Sequence, residues 1–118
     1  MPQEENLRRD IGEHIRSDSV NKTVNSEKQS RHDRNSSGYI PGRIYLLPGV
    51  DPQKLVEKYH GTGHAAISNG IWRNKETAVA DMDVGVEVDR LTGYETITNR
   101  FTIHYGSTGT HVVPAKRR

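Results

Sequence analysis

The stretch that decides the fold is residues 97–114, which read ITNRFTIHYGSTGTHVVP. Side chains along its first half alternate between the two faces of an extended strand. One face carries Ile97, Phe101, Ile103 and Tyr105, with Asn99 as a polar exception. The other face carries Thr98, Arg100, Thr102 and His104. Residues 106–109 turn the chain back and Pro114 ends the returning strand, so the sequence predicts an antiparallel hairpin.

The predicted hairpin brings two histidines together. A two- or four-residue turn within residues 106–109 places His104 directly opposite His111. Directly paired residues have Cβ atoms about 4.5 to 5.5 Å apart. Two imidazoles at that spacing can divide general-base and general-acid work near neutral pH, while the guanidinium of Arg100 can stabilise a phosphorane-like transition state. The alternative is that these side chains line the solvated face of a one-sided sheet.

Working outward, the segments before the hairpin predict one helix and several short strands. Asp51 is a helix cap and Pro52 fits the first helical turn, so a helix runs from Pro52 to about Tyr59. Residues 44–47 predict a short buried strand, and residues 69–70 predict a two-residue hairpin turn. Residues 84–88 predict a half-buried strand. Helices followed by an antiparallel meander indicate the α+β class.

The N-terminal third of the chain has little to bury. Its apolar side chains before Gly38 are Met1, Leu7, Ile11, Ile15, Val20 and Val24. Their spacing predicts two amphipathic helices, near Glu4–Ser17 and Ser19–Arg34, that depend on docking to be stable. We therefore divide the chain into a flexible N-terminal segment over 1–26, polar and partly helical or disordered, a folded domain over 27–114 and a basic tail over 115–118.

Composition narrows the possible chemistry. The 118 residues include no cysteine, which excludes disulfides, a thiolate nucleophile and cysteine-ligated metals. Lysine and arginine number 17 against 15 acidic residues, and this near balance disfavours strong nonspecific binding to nucleic acid. No apolar run is long enough for a membrane span or a signal peptide, so we expect a soluble, intracellular chain with no membrane partner.

A second basic cluster lies upstream of the hairpin. Lys28, Arg31 and His32 share one face if their segment is helical, and they could then converge on a phosphate. The alternative is a solvated charged stripe. The remaining histidines, His14, His60 and His64, are predicted to have no functional role.

Metal binding is the competing use of the histidines. His104 and His111, together with His32 or Glu76, could supply three ligands. The chain contains no short motif such as His-Glu-x-x-His, which would place metal ligands on one helix face. We therefore predict no metal site and no other cofactor.

Six short stretches, in order within residues 27–114, form a pattern with a known counterpart. They are Lys28–His32, Glu57–Gly63, Trp72–Glu76, Leu91–Gly93, Thr98–Tyr105 and Gly109–Pro114. The pattern resembles the type 50 polymorphic-toxin domain, which is found at the C-termini of bacterial secreted toxins and of phage minor head proteins. The last two stretches are its most specific part.

The resemblance implies a metal-independent ribonuclease of the barnase/EndoU/colicin/RelE class, in which N-terminal helices pack on an antiparallel sheet of four to five strands. The catalytic positions it implies are His104, His111, His32 and Arg100. The substrate-binding positions it implies are Lys28, Arg31, Thr98, Tyr105, Thr110 and Glu76. The chain departs from the pattern at Gly106-Ser107, where a Ser-Lys type pair is common.

The function implied is that of an endoribonuclease toxin or effector domain of phage or prophage origin. It would cleave RNA through attack of the 2′-hydroxyl, leaving a 2′,3′-cyclic phosphate. RNA is the expected substrate, an immunity protein or phage head proteins are the further partners, and the expected location is the bacterial cytoplasm or the virion. The alternative is a non-enzymatic C-terminal module of a phage minor head protein, concerned with head morphogenesis.

Overall fold

The computed structural model describes residues 2–117, which contain helices and strands in two sheets. The helices are α1 (Pro2–Arg16), α2 (Ser26–Ser30) and α3 (Pro52–Tyr59). None of these helices is long and apolar enough to cross a membrane. The strands are β1 (Tyr45–Leu46), β2 (His64–Ser68), β3 (Ile71–Val79), β4 (Gly85–Val88), β5 (Glu95–Thr98), β6 (Arg100–His104) and β7 (His111–Ala115). Antiparallel pairing gives a four-stranded sheet of order β2-β3-β6-β7 and a three-stranded sheet of order β1-β4-β5, so the predicted α+β class is confirmed.

Helices cover one face of the four-stranded sheet and form the main core with it. Ile11 and Ile15 of α1 are buried there, together with Leu55 and Val56 of α3. Phe101 of β6 is fully buried in the same cluster. Removing such a side chain from water contributes about 1.5 to 3 kcal/mol each. The opposite face of this sheet is left open to solvent.

The N-terminal helices differ from their prediction in one respect. The helix predicted over Glu4–Ser17 is confirmed as α1, and the positions at four-residue spacing are the ones it buries. The helix predicted over Ser19–Arg34 is wrong, because only the five residues of α2 are helical. The segment assigned to 1–26 therefore contains a helix that packs into the core. Its last residues are extended, with Val24 in a parallel bridge to Thr110.

Residues 23–29 close the outer edge of β7. The backbone N–H of Asn25 donates to the Thr110 carbonyl at 2.8 Å, and the Thr110 N–H donates to the Thr23 carbonyl at 2.9 Å. Farther along, the buried Gln29 side chain donates to the Val112 carbonyl at 2.8 Å and accepts from its N–H at 2.7 Å. Because an open strand edge leaves such groups unpaired, these bonds fix α2 beside β7.

The long strand predicted through residues 97–105 is wrong, because the chain bends at Asn99 and changes sheets. β5 pairs with β4, whereas β6 pairs with β3 and β7. Asn99 spans the bend: its carbonyl accepts from the Ala80 N–H at 2.8 Å and its side-chain amide donates to the Ala80 carbonyl at 3.1 Å. Ile97 lies beyond the bend and is 53% exposed instead of facing the core.

The local turn and capping signals are mostly confirmed. The helix predicted from Pro52 has the predicted bounds as α3, and the Asp51 side chain caps it. The Asn69-Gly70 turn joins β2 to β3 with φ values of 53° and 72°, which both residues tolerate. The prediction that Pro114 ends the sheet is wrong, since β7 continues to Ala115. β7 is an edge strand, where a missing N–H does not interrupt the sheet.

Candidate active site

The open face of the four-stranded sheet carries the predicted histidine pair. His104 of β6 is the Cα partner of His111 of β7, so the predicted register is confirmed. The two ring centroids are 4.5 Å apart and their planes differ by 20°. Both side chains are half-buried. Two imidazoles therefore lie side by side at a surface that a ligand can reach.

A third imidazole, that of His32, extends the stack. Its ring centroid lies 6.0 Å from that of His111, with the planes within 3°. The His32 carbonyl accepts from the Leu46 N–H at 2.9 Å, and its Nδ1 lies 3.0 Å from the Ile44 carbonyl oxygen. Since a carbonyl oxygen only accepts, Nδ1 carries the hydrogen and Nε2 of the neutral ring holds the lone pair. His32 is thus held in a tautomer that exchanges a proton through Nε2.

The surroundings favour the neutral form of all three rings. Burial, with smaller contributions from Lys75 and His32, lowers the pKa of His104 from its ordinary 6.5 to about 4. Burial likewise lowers the pKa of His111 to about 4, together with repulsion from the neighbouring imidazoles and basic side chains. Burial also lowers the pKa of His32, against the hydrogen bond to the Ile44 carbonyl. A bound anion would oppose these shifts and favour protonation.

Basic side chains lie near the histidine stack, which we define as His32, His104 and His111. Lys28 and Arg31 are close enough for their charges to act on His111. Lys75 of β3 is the Cα partner of His104. The Lys28 ammonium also lies 3.5 Å from the position that a Cβ on Gly106 would occupy. A cation therefore stands beside the loop that joins β6 to β7. Positive charge around neutral imidazoles suits the binding of a phosphate.

Lys75 is a residue of this surface that was not predicted from the sequence. Its place beside His104 depends on the pairing of β3 with β6, which joins segments far apart in the sequence. A signal was present in the alternation along β3, where Glu76 and Ala78 are buried and Lys75 is exposed. That alternation assigns Lys75 to the open face once β3 is placed in the sheet.

Arg100 lies on the open face but outside the histidine stack. It is four residues before His104 on β6, a separation of about 13 Å along an extended strand. Thr102 lies between them, and its hydroxyl is 3.0 Å from that of Thr77 on β3. The structure therefore does not bring Arg100 together with the imidazoles.

Glu76 and Tyr105 lie on the other, helix-covered face. Glu76 is 1% exposed, and its carboxylate accepts from the N–H groups of Gly61 and Gly63 at 3.0 and 2.7 Å. The Tyr105 hydroxyl donates to the same carboxylate at 2.7 Å. Burial and the Glu76 charge raise the pKa of Tyr105. These two residues, predicted to bind substrate, are engaged with each other and with the loop that follows α3.

Thr98 and Thr110 are also fully buried. The Thr98 hydroxyl donates to the Ala115 carbonyl at 2.7 Å and accepts from the Arg100 N–H at 3.0 Å, so it fastens the bend between β5 and β6. The Thr110 hydroxyl has no hydrogen-bond partner within residues 2–117. Neither hydroxyl is brought to the surface that carries the imidazoles.

The histidines do not form a metal-binding arrangement. Within residues 2–117, no group of three or more histidine, aspartate or glutamate side chains is placed to hold a metal ion. A metal site requires ligand atoms that converge on one point, whereas the rings of His32, His104 and His111 are stacked face to face. The arrangement suits proton transfer by adjacent rings.

Comparison with known proteins relates this surface to one family. A family model described as bacterial toxin 50 matches residues 24–114, well over half of the chain. No curated protein matches the chain. The matched range leaves out α1 and contains the whole histidine stack together with Lys28, Arg31 and Lys75.

Proposed function

The chain belongs to the bacterial toxin 50 family, and from this premise we propose that it is a toxin effector domain that cleaves RNA without a metal ion. In the proposed reaction, a ribose 2′-oxygen attacks the adjacent phosphorus. The bond from phosphorus to the 5′-oxygen breaks, leaving a 2′,3′-cyclic phosphate and a 5′-hydroxyl. The observation that carries the proposal is the histidine stack on an open sheet face with basic side chains around it.

The imidazoles would perform the two proton transfers. One of His104 and His111 takes the proton of the 2′-hydroxyl, and the other, or His32, donates a proton to the departing 5′-oxygen. His111 lies between the other two rings, so it can act with either of them. The lowered pKa values leave a lone pair available for the first transfer. The phosphate charge would raise the population of the protonated ring that the second transfer requires.

The basic side chains would hold the phosphate and stabilise its developing charge. Lys28 and Arg31 approach the stack from α2 and the residue after it, and Lys75 approaches from β3. Cations fixed at the position where negative charge grows lower the barrier to phosphoryl transfer. Arg100, farther along β6, would bind a neighbouring phosphate of the same RNA strand. Glu76, Thr98, Thr110 and the Tyr105 hydroxyl would act on the site only by holding the strands that carry it.

The proposed partners follow from the proposed activity. A toxin that cleaves RNA endangers the cell that makes it, so we include an immunity protein as its protein partner. Such an inhibitor would cover the histidine stack, because an RNA strand must reach that surface. The phage or prophage origin suggested by the sequence pattern remains part of this proposal.

The test is incubation of the purified chain with a single-stranded RNA in EDTA, across about pH 4 to 8 to cover both the lowered and the ordinary histidine pKa. We expect cleavage that His111→Ala abolishes and that His64→Ala, a substitution of an exposed histidine on β2, leaves intact. Expression of the active chain should also slow bacterial growth, and His111→Ala should relieve the effect. Intact RNA at every pH, with the protein folded by circular dichroism, would overturn the proposal.

A further inference from the structure

We propose that a cavity at the end of the four-stranded sheet, lined by Trp72, binds a nucleobase of the RNA strand next to the cleaved phosphate. This inference rests on the proposed function, because it gives the cavity a place in the same substrate. The cavity has a volume of about 300 Å³. Its lining residues are His14, Ser19, Val20, Asn21, Trp72, Asn74, Tyr105, Gly106 and Ser107.

The cavity adjoins the histidine stack through two shared chain segments. Asn74 immediately precedes Lys75, and Tyr105 immediately follows His104. The Tyr105 N–H donates to the Asn74 carbonyl at 2.8 Å, so the two segments lie together. Consecutive Cα atoms are about 3.8 Å apart. A nucleotide whose phosphate lies at the stack could therefore place its base around the end of the sheet.

Aromatic rings form part of the lining. The Trp72 indole is half-buried and meets the His14 ring edge to face, with centroids 5.9 Å apart. The centroid of the Tyr105 ring lies 5.5 Å from that of the Trp72 indole, and the two ring planes make an angle of 52°. The indole N–H donates to the Lys75 carbonyl at 3.0 Å, which fixes the ring next to the proposed phosphate site. An indole is a stacking surface that accepts any nucleobase.

The rest of the lining can bond to the polar edge of a base. Asn21 and Asn74 contribute amides, and Ser19 and Ser107 contribute hydroxyls. Amides and hydroxyls both donate and accept hydrogen bonds, as the edges of nucleobases do. The volume is at the lower end of the range for ligand pockets, which begins at about 300 Å³, and suits one planar ring system.

Two other cavities suit a nucleobase less well. One, of about 500 Å³, is lined by the segments 33–35 and 46–50 with Gln29 and Pro52, and no aromatic ring is among them. A cavity of about 290 Å³ between α1 and the loop after α3 is lined by arginines. Two of these, Arg8 and Arg16, already donate to the carbonyls of Ala65 and Gly61. The Trp72 cavity combines a stacking ring with nearness to the imidazoles.

The experiment uses Trp72 as its own reporter, since it is the single tryptophan of the chain. The four deoxyribonucleoside 3′-monophosphates are titrated separately into the ¹⁵N-labelled full chain, and the one indole N–H signal is followed by NMR. These probes lack the 2′-hydroxyl and cannot be cleaved, so binding is measured apart from catalysis. We expect a saturable shift of the indole signal with at least one base. Deoxyribose 3-phosphate, which has no base, should leave that signal in place.

Two asparagines provide a matched pair of variants. Asn74 has a φ of 62° and Asn69, in the turn between β2 and β3, has a φ of 53°. Glycine accepts both conformations, so Asn74→Gly removes an amide from the cavity and Asn69→Gly removes one elsewhere at equal backbone cost. Asn74→Gly should weaken nucleotide binding about tenfold, the loss expected of one good hydrogen bond. Asn69→Gly should not change it.

The outcomes separate the two proposals. An unchanged indole signal with all four nucleotides, in a chain whose spectrum is that of a folded protein, overturns the nucleobase site whether or not RNA is cleaved. Equal weakening by Asn74→Gly and Asn69→Gly also overturns it. A shifted indole signal in a chain that leaves RNA intact overturns the proposed cleavage but keeps a nucleotide site at Trp72.

Discussion

Each face of the four-stranded sheet carries a polar cluster. The two clusters differ in how far their polar groups are hydrogen-bonded within the protein. On the helix-covered face, the Glu76 carboxylate is 1% exposed and accepts from Tyr105 and two loop N–H groups. On the open face, the His104 and His111 rings stack at 4.5 Å and have basic neighbours but no carboxylate partner within residues 2–117. Members of the two clusters are adjacent in sequence, since Tyr105 follows His104.

The difference shows that a residue's position along the chain does not by itself decide whether its polar side chain takes part in the reaction. Alternation along a strand sends neighbouring residues to opposite faces. Hydrogen bonds to the Glu76 carboxylate on the covered face matter for stability, because an unsatisfied buried group costs about 1 to 3 kcal/mol. A group on the open face carries no such requirement and is free to bind a ligand. We therefore assign stability to the Glu76 cluster and activity to the histidine stack.

The largest effect is expected from Glu76→Ala, which should lower the free energy of unfolding by about 3 kcal/mol or more. It leaves three donors without an acceptor, namely the buried Tyr105 hydroxyl and the N–H groups of Gly61 and Gly63. Tyr105→Phe removes one of these donors and should cost about 1 kcal/mol. Urea denaturation measures both, and cleavage per folded molecule should remain. Loss of activity in a fully folded Tyr105→Phe variant would contradict the division between the faces.

His104→Ala and His111→Ala should reduce activity and leave stability nearly unchanged. Each should lower the cleavage rate by about 100-fold or more. Because both side chains are only half-buried and lie outside the core, the urea midpoint should change little. His64→Ala, at an exposed position on β2, is the control for the loss of a histidine. Rates of all three variants near wild type would remove the histidine stack from the mechanism.

The histidines should also make both rate and stability depend on acid pH. With pKa values near 4 in the folded chain and 6.5 in the unfolded chain, His104 and His111 bind fewer protons when folded. Stability should therefore fall as the pH drops from 6.5 to 4, by about 1 kcal/mol for each ring after solvent screening. The profile of kcat/KM should peak on the acid side of 6.5. Urea denaturation of His111→Ala should show a weaker fall, and an equal fall would contradict the assignment.

The smallest loss of stability is expected from Thr110→Val, which should leave the free energy of unfolding unchanged or raise it by about 1 kcal/mol. Its hydroxyl is buried without a partner among the described residues, so valine removes no bond. Thr98→Val is the matched substitution at a bonded hydroxyl and should cost about 1 to 2 kcal/mol. Thermal unfolding compares the two. A marked loss of cleavage by folded Thr110→Val would show that this hydroxyl reaches the substrate.

Local signals in the sequence predicted the local parts of the fold. The cap at Asp51, the Asn69-Gly70 turn and the register of His104 with His111 each depend on a few neighbouring residues, and each is confirmed. The bend at Asn99 was not predicted, because it depends on Ala80, which bonds to Asn99 from a distant part of the chain. One sign of the bend was present in the sequence, because Asn99 is the polar exception among the apolar residues of that strand face.

The same limit applies to the candidate site. Alternation along one strand placed His104 on the open face, but it could not show that Tyr105 meets Glu76 on the other face. The position of His32 depends on Gln29, whose side chain replaces a neighbouring strand at the edge of β7. Lys75 reaches His104 only through the pairing of β3 with β6. Long-range pairing therefore decides which polar residues share a site.

The most direct test of the open face as a cleavage centre is a DNA oligonucleotide that contains a single ribonucleotide, incubated with the full chain in EDTA. Attack by a 2′-hydroxyl is possible at one phosphate of this strand only. We predict one cut, directly after the ribonucleotide, with a 2′,3′-cyclic phosphate and a 5′-hydroxyl identified by mass spectrometry, and no cut with His111→Ala. Cleavage elsewhere in the strand, a 5′-phosphate product, or an intact strand beside a folded protein would contradict the account.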